Sequence, residues 1–153
     1  MKLDDCINLD DLRKVAKQRV PKLIYDFIEG GSEDESGLVR NEDAFRNRAL
    51  VPRYMVDISS INQDTELFGR TYSSAYGIAP TGGISNYRHK GDLMLARAAR
   101  DANIPFIMSG AATARMEDMA REAPDHGWYQ LYTAKDRAIA DDQVKRAADL
   151  GIP

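Results

Sequence analysis

Three kinds of feature are scarce in this sequence, and each absence excludes a class of protein. Its single cysteine, Cys6, cannot form an internal disulfide, so a disulfide-stabilised scaffold is excluded. It has two histidines, and no group of potential ligands has metal-site spacing, so we predict no metal centre. No apolar run approaches the roughly 20 residues needed to cross a bilayer.

Excess positive charge is also missing. The net charge is -3 at pH 7, and no run of lysine and arginine occurs, which argues against nucleic acid as a partner. The first residues include Asp4 and Asp5, where a secretory leader would be basic and then apolar. We therefore predict a cytoplasmic protein and leave peripheral attachment at the inner membrane open.

The first half of the chain has helical patterning. Asn8 is placed to cap a helix, and Pro21 suits the first turn of a second helix with Ile24, Phe27 and Ile28 on its buried side. Gly30-Gly31 is expected to end that helix in a left-handed cap. A glycine-centred hairpin is predicted at 65–72. Residues 1–75 are therefore predicted to be a helical segment closed by a β-hairpin.

Residues 76–153 alternate strand and helix. Predicted strands lie at 76–80, 105–109 and 128–132, with Asp92 as the cap of the first intervening helix. Three such units predict a parallel sheet, and the strand ends Thr81, Ser109 and Gln130 are where α/β folds bind ligands. A (β/α)8 barrel needs roughly 250 residues, and the 153 present would form only its first three units, with a fourth strand expected beyond Gly151.

Several segments together resemble one family. They are VPKLIYDFIEGG at 20–31, IAPTG at 78–82, HKGD at 89–92, ARAA at 96–99 and WYQLY at 128–132. In order and spacing they resemble the FMN-dependent L-2-hydroxy-acid oxidases and dehydrogenases, most closely the mandelate dehydrogenase branch. The similarity runs from about residue 9 to residue 151, nearly the whole chain.

The resemblance implies an α/β fold, the N-terminal portion of a (β/α)8 TIM barrel preceded by a helical segment. It also implies FMN at the carboxyl ends of the strands. Tyr132 is expected to be catalytic and to contact the substrate, and Phe27 to lie at the substrate carboxylate. The residues expected to contact the flavin are Ala79, Pro80, Thr81, Gly82, Ser109 and Gln130.

Two residues depart from the family pattern. Most members have tyrosine where this chain has Phe27, so a hydrogen bond to the substrate carboxylate is lost, commonly worth roughly 1.5–3 kcal/mol. Many oxidases have alanine where this chain has Gly82, and dehydrogenase members often share the glycine. The resemblance therefore favours a dehydrogenase over an oxidase.

The family's catalytic histidine, substrate-binding arginines and phosphate-binding glycines have no counterpart in this chain. His89 and His126 do not match the catalytic position. We therefore expect the chain alone to be inactive and the full-length protein to oxidise a small L-2-hydroxy acid. Its electron acceptor would be a quinone, a cytochrome or oxygen, and the full-length protein is expected to be a homo-oligomer.

Other interpretations of the same residues stay open. The segment 80–83 could be only a strand-ending loop, Ser109 could cap the next helix, and Tyr132 could be a core aromatic. At the level of function, the alternatives are a non-catalytic half-barrel scaffold or binding module and a different flavin- or phosphate-binding barrel that shares only the fold.

Overall fold

The computed structural model describes residues 2–153. The chain divides into two compact units, one ending at Ser59 and the other spanning Ser60–Pro153. This differs from the predicted division between residues 75 and 76, because the hairpin is bonded into the second unit. Ser73 N donates to Asn103 O at 2.9 Å, and the Tyr72 hydroxyl donates to Asp125 O at 3.3 Å.

The first unit is helical, as predicted. The Asn8 side chain caps the first helix by accepting from Asp11 N at 2.9 Å, and Val15 is buried on that helix. Over residues 2–153, no helix is long and apolar enough to cross a membrane. The helices are α1 (Leu9–Arg19), α2 (Lys22–Glu29) and α3 (Ser36–Arg46), after a 3-10 turn at Leu3–Asp5.

Two details predicted for α2 are wrong. Its apolar face is not buried, since Phe27 is 77% exposed and Ile28 50% exposed. Gly30 is extended, with φ −76° and ψ 147°, so no left-handed cap forms. The helix instead ends when Gly30 N bonds back to Asp26 O at 3.0 Å and the chain leaves in an extended conformation.

The hairpin consists of β1 (Thr65–Leu67) and β2 (Arg70–Tyr72), paired antiparallel as predicted. Both turn residues have positive φ, 51° at Phe68 and 74° at Gly69. Two positive values in a two-residue turn match the right-handed twist of the flanking strands. The rings of Phe68 and Trp128 pack in a T-shaped arrangement with 5.0 Å between their centroids.

The strand–helix units of the second half form a parallel sheet, as predicted. Strand β3 pairs with β4 in parallel, and the first predicted strand is reduced to a parallel bridge between Ile78 and Phe106. The ladder cannot continue because the next donor in that register belongs to Pro80, which has no N–H. The elements are α4 (Gly91–Asp101), β3 (Phe106–Met108), α5 (Met116–Glu122), β4 (Gly127–Tyr129) and α6 (Arg137–Asp149).

The core of the second unit lies where helices pack on β3. Ala96 and Ala99 are fully buried on α4, so their small side chains bring the helix close to Phe106. Asp92 does not cap α4 as predicted, because the helix begins at Gly91 and Asp92 is buried in its first turn. The buried members of the core are Ala96, Ala99, Phe106, Met108, Met116, Met119, Ala123, Ala147 and Ile152.

The amino-terminal ends of the strands are closed by a polar network. The Tyr72 hydroxyl accepts from Trp128 Nε1 at 3.1 Å and donates to Asp125 O. The ring nitrogens of His126 lie 2.9 Å from Pro124 O and 3.0 Å from Asn103 Oδ1. Both ring nitrogens of His126 therefore have partners within the chain.

Gly91 is required where the chain enters α4. A Cβ there would lie 2.4 Å from Ile84 Cγ2, well inside van der Waals contact. We expect Gly91→Ala to destabilise the protein by about 1–3 kcal/mol, measured by denaturant unfolding. Gly37→Ala is the control, because nothing lies within 4 Å of the added methyl and a helical alanine stabilises by roughly 0.5–1 kcal/mol. Equal stability of Gly91→Ala and the parent would contradict this packing.

An ion pair joins the last two helices. Arg146 Nε and Nη2 donate to Glu117 Oε1 at 3.1 and 2.7 Å. These hydrogen bonds hold the pKa of Glu117 below its ordinary value of 4.5. A depressed carboxyl pKa in the folded state stabilises the fold above the unfolded pKa, and this contribution is lost as pH falls through the folded pKa.

We therefore expect Glu117→Gln to lower the free energy of unfolding at neutral pH, and this effect should fade as the pH falls through the depressed pKa of Glu117. Unfolding curves measured across that range test the pH dependence. Asp141→Asn is the control, since it removes an exposed pair with Arg137 within α6 and should change stability by only a few tenths of a kcal/mol. If Glu117→Gln lowers the free energy of unfolding by the same amount at every pH, the substitution has removed packing and not a charge interaction.

Candidate functional site

The carboxyl ends of the predicted strands meet at one edge of the sheet. Gln130 N donates to Met108 O at 2.9 Å, and Gly83 N donates to Ala111 O at 3.3 Å. Each bond joins one strand end to the next. The structure therefore brings together the segments around Gly82, Ser109 and Gln130, as the parallel arrangement predicted.

Gly110 is the residue that allows the last two ends to approach. A Cβ there would lie 2.8 Å from Gln130 O and 3.2 Å from Tyr132 N. Both are main-chain atoms, which cannot move aside as a flexible side chain could. Sequence reasoning missed Gly110, although a glycine directly after a strand-ending serine is a signal for close main-chain approach.

Ser109 is buried, with 3% of its surface exposed. Its Oγ accepts from Ala111 N at 3.1 Å, which shapes the loop after β3. The alternative that Ser109 caps the following helix is not supported, because α5 begins only at Met116. Its own hydroxyl proton remains to be donated to another group.

Gln130 carries the clearest sign of a binding site. Its Oε1 is buried and has no hydrogen-bond partner among residues 2–153. A buried amide oxygen without a donor costs about 1–3 kcal/mol, so such groups are normally paired. The side chain stands at the strand end where the three segments meet, and it calls for an N–H donor that the described chain does not supply.

The segment after Ile78 runs past this edge as a loop. Ala79 and Thr81 are exposed, and Pro80 and Gly82 are half-buried. A Cβ on Gly82 would lie 3.2 Å from Ala111 Cβ and 3.7 Å from Ser109 Oγ, so this loop packs directly on the segment after β3. Gly83, with φ 66°, then turns the chain into a 3-10 turn at Ile84–Asn86.

The two residues predicted to contact substrate lie in different units. Tyr132 stands at the edge described above and is 57% exposed, so it is not a core aromatic. Phe27 belongs to α2 of the first unit, and its role stays a prediction.

These strand ends fit the pyrimidine edge of a flavin. That edge offers an N–H donor and carbonyl acceptors, and Gln130 Oε1 needs a donor while Ser109 retains a hydroxyl proton. The loop at Ala79–Gly82 is open enough for its main chain to face a planar ring. On the chemistry of its donors and acceptors, the site is suited to FMN.

Comparison with known proteins gives the same indication. Residues 16–153 match the model of a family described as FMN-dependent dehydrogenase. The chain is 41% identical over 144 residues to (S)-mandelate dehydrogenase of Pseudomonas putida, covering 94% of this chain and 36% of that protein. It is 36% identical over 151 residues to 2-hydroxyacid oxidase of Dictyostelium discoideum, covering 98% and 39%.

The fold agrees with a solved structure of the same group. A soluble mutant of the membrane-associated P. putida (S)-mandelate dehydrogenase superposes with a TM-score of 0.89 and 41% identity, covering 96% of this chain and 42% of that one. The predicted fold class, the N-terminal portion of a TIM barrel after a helical segment, is confirmed. The chain spans 36% and 39% of the two relatives' lengths.

The unpaired amide leads to a prediction. In full-length protein, Gln130→Leu should weaken FMN binding about tenfold, the effect of one lost hydrogen bond, as measured by quenching of flavin fluorescence. Gln18→Leu is the control, because it makes the same substitution at an exposed position of α1, where no contact with the flavin is proposed. Equal effects of the two substitutions would contradict a specific contact between Gln130 and the flavin.

Proposed function

The chain belongs to the FMN-dependent dehydrogenase family, and from this premise we propose that the full-length protein oxidises a small L-2-hydroxy acid to the 2-oxo acid. The observation that carries the proposal is the strand-end site with its unpaired Gln130 amide. FMN is the cofactor that the family description names and that these donors and acceptors suit. The names of the two relatives, a mandelate dehydrogenase and a 2-hydroxyacid oxidase, support the substrate class.

Each predicted residue has a role in this proposal. Bound FMN would accept the hydride that leaves the 2-carbon of the substrate. Gln130 and Ser109 would hold the pyrimidine edge, where reduction builds negative charge, and the main chain of Ala79–Gly82 would lie along the ring. The exposed Tyr132 hydroxyl would donate to the substrate near its hydroxyl and carboxylate. The base that takes the hydroxyl proton would come from outside the 153 residues, which contain no residue matching the family's catalytic histidine.

A dehydrogenase is favoured over an oxidase. Gly82 is the residue that supports this, because dehydrogenase members of the family often share the glycine. The acceptor would then be a quinone or a cytochrome. The membrane association of the P. putida relative supports the proposal that this protein is cytoplasmic with peripheral attachment at the inner membrane, where such acceptors lie.

The test of this function is a pair of half-reactions with the full-length protein. Mixing oxygen-free protein with lactate, glycolate or mandelate should bleach the flavin absorption. The reduced protein should then be reoxidised much faster by a soluble quinone than by oxygen. Fast reoxidation by oxygen would assign an oxidase, and a colourless purified protein would favour the non-catalytic scaffold.

Phe27 gives a prediction about substrate affinity. In full-length protein, Phe27→Tyr should lower the Michaelis constant for a small 2-hydroxy acid about tenfold by adding a donor for the carboxylate. The FMN dissociation constant should not change. The control is Phe45→Tyr on α3, where the ring is 85% exposed and no role is proposed. Unchanged kinetics on all three acids would remove Phe27 from the substrate site.

A further inference from the structure

Asp92, in the first turn of α4, is fully buried, and no other charged side chain is buried in the part of the chain that the structure describes. Its Oδ2 accepts from the Thr113 hydroxyl at 3.4 Å, and its Oδ1 has no partner among those residues. A buried carboxylate is costly unless its oxygens are paired. The amino-terminal end of α4 offsets part of that cost. Because burying this carboxyl group does not stabilise the fold, we look for another role for Asp92.

Thr113 connects Asp92 to a second loop. Its hydroxyl also contacts the hydroxyl of Ser85. A hydroxyl has one proton to donate, so when Thr113 donates to Asp92 Oδ2, its oxygen accepts from the Ser85 hydroxyl. The result is a chain of two hydrogen bonds that starts in the 3-10 turn after Gly82 and ends inside α4.

The two joined loops are the ones that carry the flavin contacts of the proposed function. Ser85 lies in the loop that begins with Ala79–Gly82, and Thr113 lies in the loop that begins with Ser109. Near the strands, the main chains of these loops are linked by the single bond from Gly83 N to Ala111 O. The hydroxyl chain to Asp92 is a second link between the same two loops.

We infer that Asp92, acting through Thr113 and Ser85, is a positioning residue that holds the two flavin-contacting loops in register. The inference rests on the proposed function, since it takes FMN as the group that the loops face. Among the described residues, the Asp92 side chain is hydrogen-bonded to Thr113 and to none of the residues predicted to bind the flavin. Its effect on the cofactor is exerted through the two hydroxyls.

The experiment uses full-length protein and three substitutions, Asp92→Asn, Thr113→Val and Ser85→Ala. Three quantities are measured: the FMN dissociation constant, the visible absorption spectrum of bound flavin, and the unfolding midpoint of the FMN-free protein. Each substitution should raise the FMN dissociation constant about tenfold and alter the flavin spectrum. The reason is that each removes a hydrogen bond of the chain that aligns the flavin contacts of both loops. The Ser85→Ala and Thr113→Val double variant should be no worse than the worse single variant, because both break one chain.

Two controls separate positioning from stability. Thr113→Ser keeps the hydroxyl and should restore both the affinity and the spectrum. Thr71→Val removes an exposed threonine hydroxyl on β2, at the opposite end of the sheet, and should change neither. Should Asp92→Asn fail to fold, Ser85→Ala still tests the inference, because Ser85 is only half-buried.

The outcomes are distinct. A lower unfolding midpoint with unchanged FMN affinity and spectrum would overturn the positioning role and leave the proposed function intact. Additive effects of Ser85→Ala and Thr113→Val would overturn the hydrogen-bonded chain. If the unsubstituted protein binds no FMN, the proposed function fails and the inference fails with it.

Discussion

The parallel register that joins Ile78, β3 and β4 is the constraint on which the candidate site depends. Parallel strands end at the same edge, so the register alone brings residues distant in sequence to one place. The approach is close only because Gly110 has no side chain to separate the last two strand ends. Every other feature of the site, including the packing of Gly82 on Ala111, follows once these main chains are in place.

The two ends of this sheet differ in how well their polar groups are satisfied. At the amino-terminal end, Tyr72, Trp128 and His126 find partners within the chain, and the hairpin closes that end. At the carboxyl-terminal end, buried oxygens of Gln130 and Asp92 lack partners among the described residues. Two further buried oxygens without a partner, Glu117 Oε2 and Gln143 Oε1, belong to α5 and α6, so it is the position of Gln130 where the strand ends meet that favours this end for a ligand.

Sequence patterns predicted which elements exist better than they predicted their surroundings. Periodicity gave the helices, the hairpin and the parallel units, because these depend on local spacing. It could not give the burial of Phe27, because a helical face shows which residues are apolar and not whether another element covers them. The prediction that Asp92 caps α4 was wrong because the helix begins at Gly91, one residue earlier than a cap at Asp92 requires. Sequence patterns do not determine a helix start to within one residue. The first strand is shorter than predicted because Pro80 has no N–H to continue the hydrogen-bond ladder. Whether a proline falls on a donor position depends on the pairing register, which the sequence of one strand does not show.

No single segment of the site is specific for a flavin. A Pro-Thr-Gly loop, a buried serine and a strand-end glutamine each occur in many α/β proteins for structural reasons. These segments indicate a binding site only in combination. The strand register places the loop at Ala79–Gly82 near Ser109 and Gln130, and the Gln130 amide oxygen is left without a donor. The order and spacing of the motifs in the sequence carry the same information, because order and spacing determine which strand ends become neighbours. The family resemblance and the geometry therefore have the same physical basis. Three strand ends are adjacent, and the hydrogen-bond donor that Gln130 needs is not supplied by the described chain.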